Sequence, residues 1–227
     1  RNHSSAASDV YKRQGHKLAK ADLTKPIDIS LETKEKTGFK AWYSPAVTSN
    51  VIRGENFIGS VNEGGSVNFK EVMINPHANM THTESVGHIS KEEVPVNGVL
   101  NRFHFIAQLI SVKPTLMGGN LEKPIQKGDL CILKSAIEDK INPRAEAIII
   151  KTQPNLEELT TKNYDGTNWP YLHPKTAAYI REKGIRHLLI DQPSVDKEFD
   201  DGMLLSHRAF WNYPCLLYTS DAADEWL

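Results

Sequence analysis

Between His77 and His88 the chain reads His77-Ala78-Asn79-Met80-Thr81-His82-Thr83-Glu84-Ser85-Val86-Gly87-His88, three histidines and one carboxylate within twelve residues. In an extended backbone successive side chains alternate, so His82 and Glu84 project to one side and Thr81 and Thr83 to the other. An imidazole and a carboxylate leaving one edge, with another imidazole four residues on, supply nitrogen and oxygen donors for a hard-to-borderline divalent cation. No cysteine stands nearby, which favours zinc or manganese over a thiolate-preferring metal. Spacing alone leaves two readings, a metal site or a polar turn carrying incidental histidines.

A second polar cluster lies far downstream. Asp191-Gln192-Pro193-Ser194-Val195-Asp196 is followed by Leu205-Ser206-His207-Arg208. Asp, Pro and Ser in that order are ordinary in a strand-ending turn. His104 and His187 fall in apolar strand patterns and read as core or edge residues, and His16 and His173 carry no signal.

These groups need elements to position them. Residues 26–31 (PIDISL) alternate like a strand, and residues 57–72 read as two strands around the turn Asn62-Glu63-Gly64-Gly65. Residues 102–112 and 145–151 are apolar enough for buried strands, and residues 124–133 read as a turn leading into a strand. The clearest helix is 174–183, with Pro174 in its first turn and Gly184 just past its end. A strand at 186–191 follows. Strand, helix, strand after many strands indicates an α/β or α+β domain.

Residues 4–14 (SSAASDVYKRQ) and 215–225 (CLLYTSDAADE) are translations of opposite strands of one oligonucleotide, the mark of a sequencing adapter read through at both ends. The expectation is a single domain over residues 15–214, truncated at both ends. Residues 1–14 and 215–227 are then adapter remnants that pack poorly. Setting aside Arg1, Lys12 and Arg13, with Asp9, Asp221, Asp224 and Glu225, leaves 24 basic and 24 acidic residues. So balanced a surface gives no reason to expect nucleic acid or an anionic membrane as partner. Cys131, in the apolar run DLCIL, reads as a buried thiol. No apolar run reaches the roughly 18 residues that span a bilayer. A cytoplasmic location is expected, a leader upstream of the sequenced segment staying open.

Thr81-His82-x-Glu84-x-x-x-His88 resembles the second half of the cyclase-family signature, His-x-Gly-Thr-His-x-Asp-x-Pro-x-His. In that family the first two His and the Asp bind metal, and the last His transfers a proton. The resemblance therefore implies His82 and Glu84 as metal ligands and His88 as the acid–base residue. The chain departs from the signature at four further positions. Ala78 stands at the first ligand position with His77 one residue early, Met80 replaces Gly, Glu84 replaces Asp, and Val86 replaces Pro. His77 serves as the displaced ligand if the chain bulges between it and Thr81, and is otherwise a surface histidine after Pro76. The downstream cluster resembles the family's Asp-x-Pro-Ser-Val-Asp segment and its following His. That implies His207 as a further metal ligand, with Asp191, Ser194 and Asp196 positioning the site. A Glu that the family places beyond that His falls here among the adapter-like residues. Weaker matches at Asp28-Ile29-Ser30 and Trp169-Pro170 extend the resemblance over residues 26–211.

The resemblance implies an α/β fold: a swivelling β/β/α single domain, a mixed sheet with flanking helices, assembled as a homodimer or higher homo-oligomer. It implies a metal-dependent hydrolase of amide carbon–nitrogen bonds, with zinc or manganese and a small-molecule substrate, an arylformamide such as N-formylkynurenine leading. Lactones, cyclic amides and esters follow. A non-catalytic relic that binds a small molecule is the competing class, argued by Ala78 and Met80.

Overall fold

A computed structural model of the chain describes residues 9–14, 17–119, 121–154 and 158–214. Strands β1 (Asp9–Gln14) and β2 (Lys17–Asp22) form an antiparallel pair, and the expected boundary at residues 14 and 15 falls between them. Residues 1–8 and 215–227, most of the adapter-like ends, lie outside the described residues.

Residues 26–31 do not form the expected strand. The Asp28 carboxylate accepts both the amide and the hydroxyl of Ser30, at 2.9 and 2.7 Å, and this local turn overrides the alternation. Next, β3 (Thr48–Val51), β4 (Arg53–Gly54), β5 (Phe57–Ile58) and β6 (Lys70–Met73) make two small antiparallel ribbons, β3 with β6 and β4 with β5. The turn expected at 62–65 is therefore not a hairpin tip. Residues Val61–Glu63 form a 3-10 turn that Gly64 ends at φ 89°, and the amide of Gly65 returns to the Ser60 carbonyl at 2.9 Å. The two glycines close a helical turn, and the strand that follows pairs back to β3.

The short helices α1 (Pro76–Asn79) and α2 (Val96–Val99) precede the main sheet. That sheet is parallel, in the order β12-β10-β7, from β7 (Ala107–Val112), β10 (Ala147–Thr152) and β12 (His187–Ile190). Central β10 carries Ile148 and Ile150 fully buried, as expected of a strand paired on both sides. A smaller sheet places β9 (Leu130–Ile132) between β8 (Thr115–Leu116) and β11 (Tyr171–Leu172). Cys131, on β9, is buried as expected, and burial pushes its thiol up to about 11.

Helix α3 (Pro174–Glu182) has Pro174 at its start, the His173 ring accepting the Lys175 amide, and Gly184 at φ 79° beyond its end. Its buried stripe Thr176, Ala177 and Ile180 joins Ile110, Ile132, Ile148, Ile150 and Leu172 in the core. Helix α4 (Leu205–Trp211) packs against α3. The architecture is α/β, with a parallel sheet, a smaller mixed sheet and flanking helices. Among the described residues no helix is long and apolar enough to cross a membrane.

One ion pair is sealed inside. Asp129 accepts from the Tyr171 hydroxyl at 2.7 Å, the Gln126 amide at 2.9 Å and the Lys197 ammonium at 2.9 Å, and both charged side chains are almost wholly buried. Lys197 also donates to the Pro124 carbonyl at 3.1 Å.

Candidate metal centre

The two polar clusters of the sequence meet at the Glu84 carboxylate. His77 arrives on α1. The Asn75 side chain caps that single turn by accepting the His77 amide at 3.1 Å, and Pro76 needs no amide partner there. This helical turn, rather than a bulge, brings His77 Nδ1 to 2.8 Å from Glu84 Oε1. His82 donates from Nδ1 to the Met80 carbonyl at 2.9 Å and turns Nε2 to within 2.9 Å of Glu84 Oε1. The Thr81 hydroxyl, facing away, accepts the Leu31 amide at 2.9 Å.

His88 ends a 3-10 turn, Val86–His88, capped by the Ser85 hydroxyl, which accepts the Gly87 amide and donates to the Val94 carbonyl. A Cβ at Gly87 would stand 2.6 Å from the Val94 carbonyl oxygen, so the loop closes this tightly only over glycine. The His88 ring stacks on His77 at 4.6 Å, and its Nε2 lies 3.8 Å from Glu84 Oε1.

From the far end of the chain, α4 presents His207. Its Nε2 lies 3.5 Å from Glu84 Oε2, and its Nδ1 donates to Asp196 Oδ2 at 2.6 Å. Asp196 also accepts the backbone amides of Ser206 and His207, at 2.7 and 3.1 Å, so one carboxylate starts the helix and orients the ring. Ser194 accepts the Asp196 amide at 3.1 Å and shapes the turn. Asp191 does its work further back, accepting the Thr152 amide and hydroxyl, each at 2.9 Å, which ties the end of β12 to β10.

Two groups of donor atoms, His77 with His82 and Glu84, and Glu84 with His88 and His207, each fall within 4.8 Å of one another and could hold a metal ion. The orientation of the rings fits a cation. His82 and His207 each give Nδ1–H to a fixed acceptor, which leaves the Nε2 lone pair of a neutral ring aimed at one carboxylate. A lone pair facing a carboxylate oxygen is repulsive unless a proton or a cation lies between them. Imidazoles that bind metals are anchored in this way through the second nitrogen.

Without a cation, protons fill the gap. Burial pushes the Glu84 carboxyl up, but hydrogen bonds from His207 and His82 outweigh it and hold the group far below the usual carboxylate range. Burial depresses His207, yet its bonds to Asp196 and Glu84 carry it up to about 9. The bond to Glu84 raises His82 against its burial. His88 is the exception, since burial and the neighbouring imidazoles hold it below the ordinary histidine value.

Two aromatic neighbours lie outside the sequence-derived set. Trp169, wholly buried, donates from Nε1 to the Asp196 carbonyl at 3.1 Å. Trp211 packs on His207 with ring centroids 5.3 Å apart. The spacing of four between His207 and Trp211 was the available signal, hidden because residues 205–211 are too short to announce a helix.

Residues 21–197 match the family model described as putative cyclase. No curated protein matches. Among solved structures, the chain is similar to a predicted metal-dependent hydrolase from Bacillus stearothermophilus, at 13% identity and a TM-score of 0.47, over 81% of this chain and 76% of that one.

Proposed function

Because the chain belongs to the cyclase family, we propose that it is a metal-dependent hydrolase of amide carbon–nitrogen bonds, with an N-formyl aryl amide as the leading substrate. The single observation that carries this reading is the pair of anchored imidazoles, His82 and His207, both turned on Glu84. His77 supports it. The ligand position vacated at Ala78 is covered from one residue earlier, which weighs against a relic that only binds.

In this reading His77, His82, Glu84 and His207 would hold zinc or manganese, His207 from the side of the second Glu84 oxygen. A divalent cation there supplies Lewis acidity, polarising a carbonyl and acidifying water. His88 does the proton work. Its ring is the one held below the ordinary histidine value, so it is neutral at neutral pH and accepts a proton from the attacking water at Nε2. The same nitrogen then returns the proton to the departing amine.

Asp196 acts through His207. Asp196→Ala is expected to weaken zinc binding by about 10–100-fold, since the anchor of a ligating imidazole is lost. A competitive chelator titration measures this, and unchanged affinity would remove Asp196 from the site.

The function itself is tested by stripping the chain with chelator, reloading it with zinc or manganese, and assaying formanilide beside a lactone, a cyclic amide and phenyl acetate. Stoichiometric metal with formanilide hydrolysis is the expected result. Hydrolysis confined to lactone or ester would reassign the substrate. Full metal with no turnover on the panel would leave a binding protein.

A further inference from the structure

We propose that Trp211 forms one wall of the substrate site and selects acyl donors that carry an aromatic ring, an inference that rests on the hydrolase reading above. Residues four apart share a helix face, so α4 points Trp211 to the side from which His207 reaches Glu84. The two rings lie 5.3 Å apart at 43°. His207 is only 7% exposed, whereas Trp211 is partly exposed. The indole therefore packs against the imidazole while part of its own surface stays accessible to solvent. His88 also lies beside His207, with ring centroids 5.6 Å apart. Trp211 is thus one side chain removed from the groups assigned to binding and proton transfer.

The wall is fixed in place. Two residues on, the Tyr213 hydroxyl accepts the Lys91 amide at 3.4 Å, tying the end of α4 to the loop that follows His88. Arg208 lies over the Tyr213 ring at 5.6 Å and donates to the Pro214 carbonyl at 2.6 Å. A rigid indole offers a flat apolar face with no charge, and an aryl group packs on it edge-on or offset, gaining up to about tenfold over a flexible alkyl chain. The substrate class that fits is a neutral amide or ester with an aryl group next to the reacting carbonyl or its leaving atom.

The test compares formanilide with N-butylformamide on the metal-loaded chain, in native, Trp211→Phe and Trp211→Ala forms. Trp211→Ala is expected to lower the aryl-over-alkyl ratio of kcat/KM by about tenfold, mainly through KM, and Trp211→Phe to keep most of the preference. If Trp211→Ala does not fold, Trp211→Phe is compared with Trp211→Leu. Equal losses on both substrates would make Trp211 a packing residue and overturn the proposal. Tryptophan fluorescence during formanilide titration reads binding without turnover. Quenching that disappears in Trp211→Phe, with no hydrolysis, sustains the wall and sinks the hydrolase reading. Hydrolysis with an unaltered ratio sinks the wall alone, and absence of both binding and hydrolysis sinks both.

Discussion

His82→Ala is expected to lose metal and hydrolysis together, while His88→Ala keeps most of its metal and loses about 10²-fold or more in turnover. The two rings are held differently. His82 is locked at both nitrogens, Nδ1 on the Met80 carbonyl and Nε2 on Glu84, so its removal deletes a preset donor. His88 is held by ring contacts with His77 and His207 and stands 3.8 Å from Glu84. Its removal leaves His77, His82, Glu84 and His207 in place. Elemental analysis of both purified variants, beside kcat on the best substrate, decides the matter. His88 also shares a donor group with Glu84 and His207. Equal metal loss in both variants would therefore make it a ligand and end its role as proton carrier.

Lys197→Met is expected to cost about 3–5 kcal/mol of stability, because it leaves Asp129 charged and buried without its cation. Methionine keeps most of the stem's volume, so a packing defect is a minor part of that cost. The pH dependence follows from Asp129. Burial pushes its carboxyl up, but bonds from Tyr171, Gln126 and Lys197 outweigh this and hold it below the usual aspartate value. A depressed folded-state value means that the contribution is complete above the unfolded pKa, about 3.9, and disappears as pH falls through the folded one. The native chain should lose stability on acidification across that window. In Asp129→Asn with Lys197→Met, both charges are gone and the loss should be smaller than the sum of the single losses. Denaturant melts of the four forms measure it, and strictly additive losses would show that the pair is not coupled.

The central sheet and α3 were legible because their signals are local and agree with burial. Residues 145–151 are apolar throughout, as a strand paired on both sides must be, and Pro174 and Gly184 bracket the helix. The strand expected at 26–31 does not form, because alternation there has no apolar face to fill. Ile27 is 87% exposed, and Asp28 bonds Ser30 instead of a neighbouring strand. At the site, His82 and Glu84 share a direction by strand geometry alone, so their contact could be anticipated. His77 could not be placed by period, since the Asn75 cap and Pro76 wind a single helical turn in a stretch too short to show one. His207 is a different case. Nothing in its own neighbourhood points to residue 84, and only the resemblance joined the two segments.

His77, His82 and Glu84 lie within eight residues of one another, whereas His207 stands on the far side of the parallel β7, β10 and β12 pairing. Closing a short loop on a cation costs little chain entropy, and parallel pairing between distant strands is a slow step in forming such a topology. The centre therefore has a natural order of assembly, in which the nearby donors can come together before the sheet exists and the distant imidazole arrives with it. On the proposed reading, a chain emerging from the ribosome presents the candidate ligands His77, His82 and Glu84 first and completes the set with His207 only once α4 has docked.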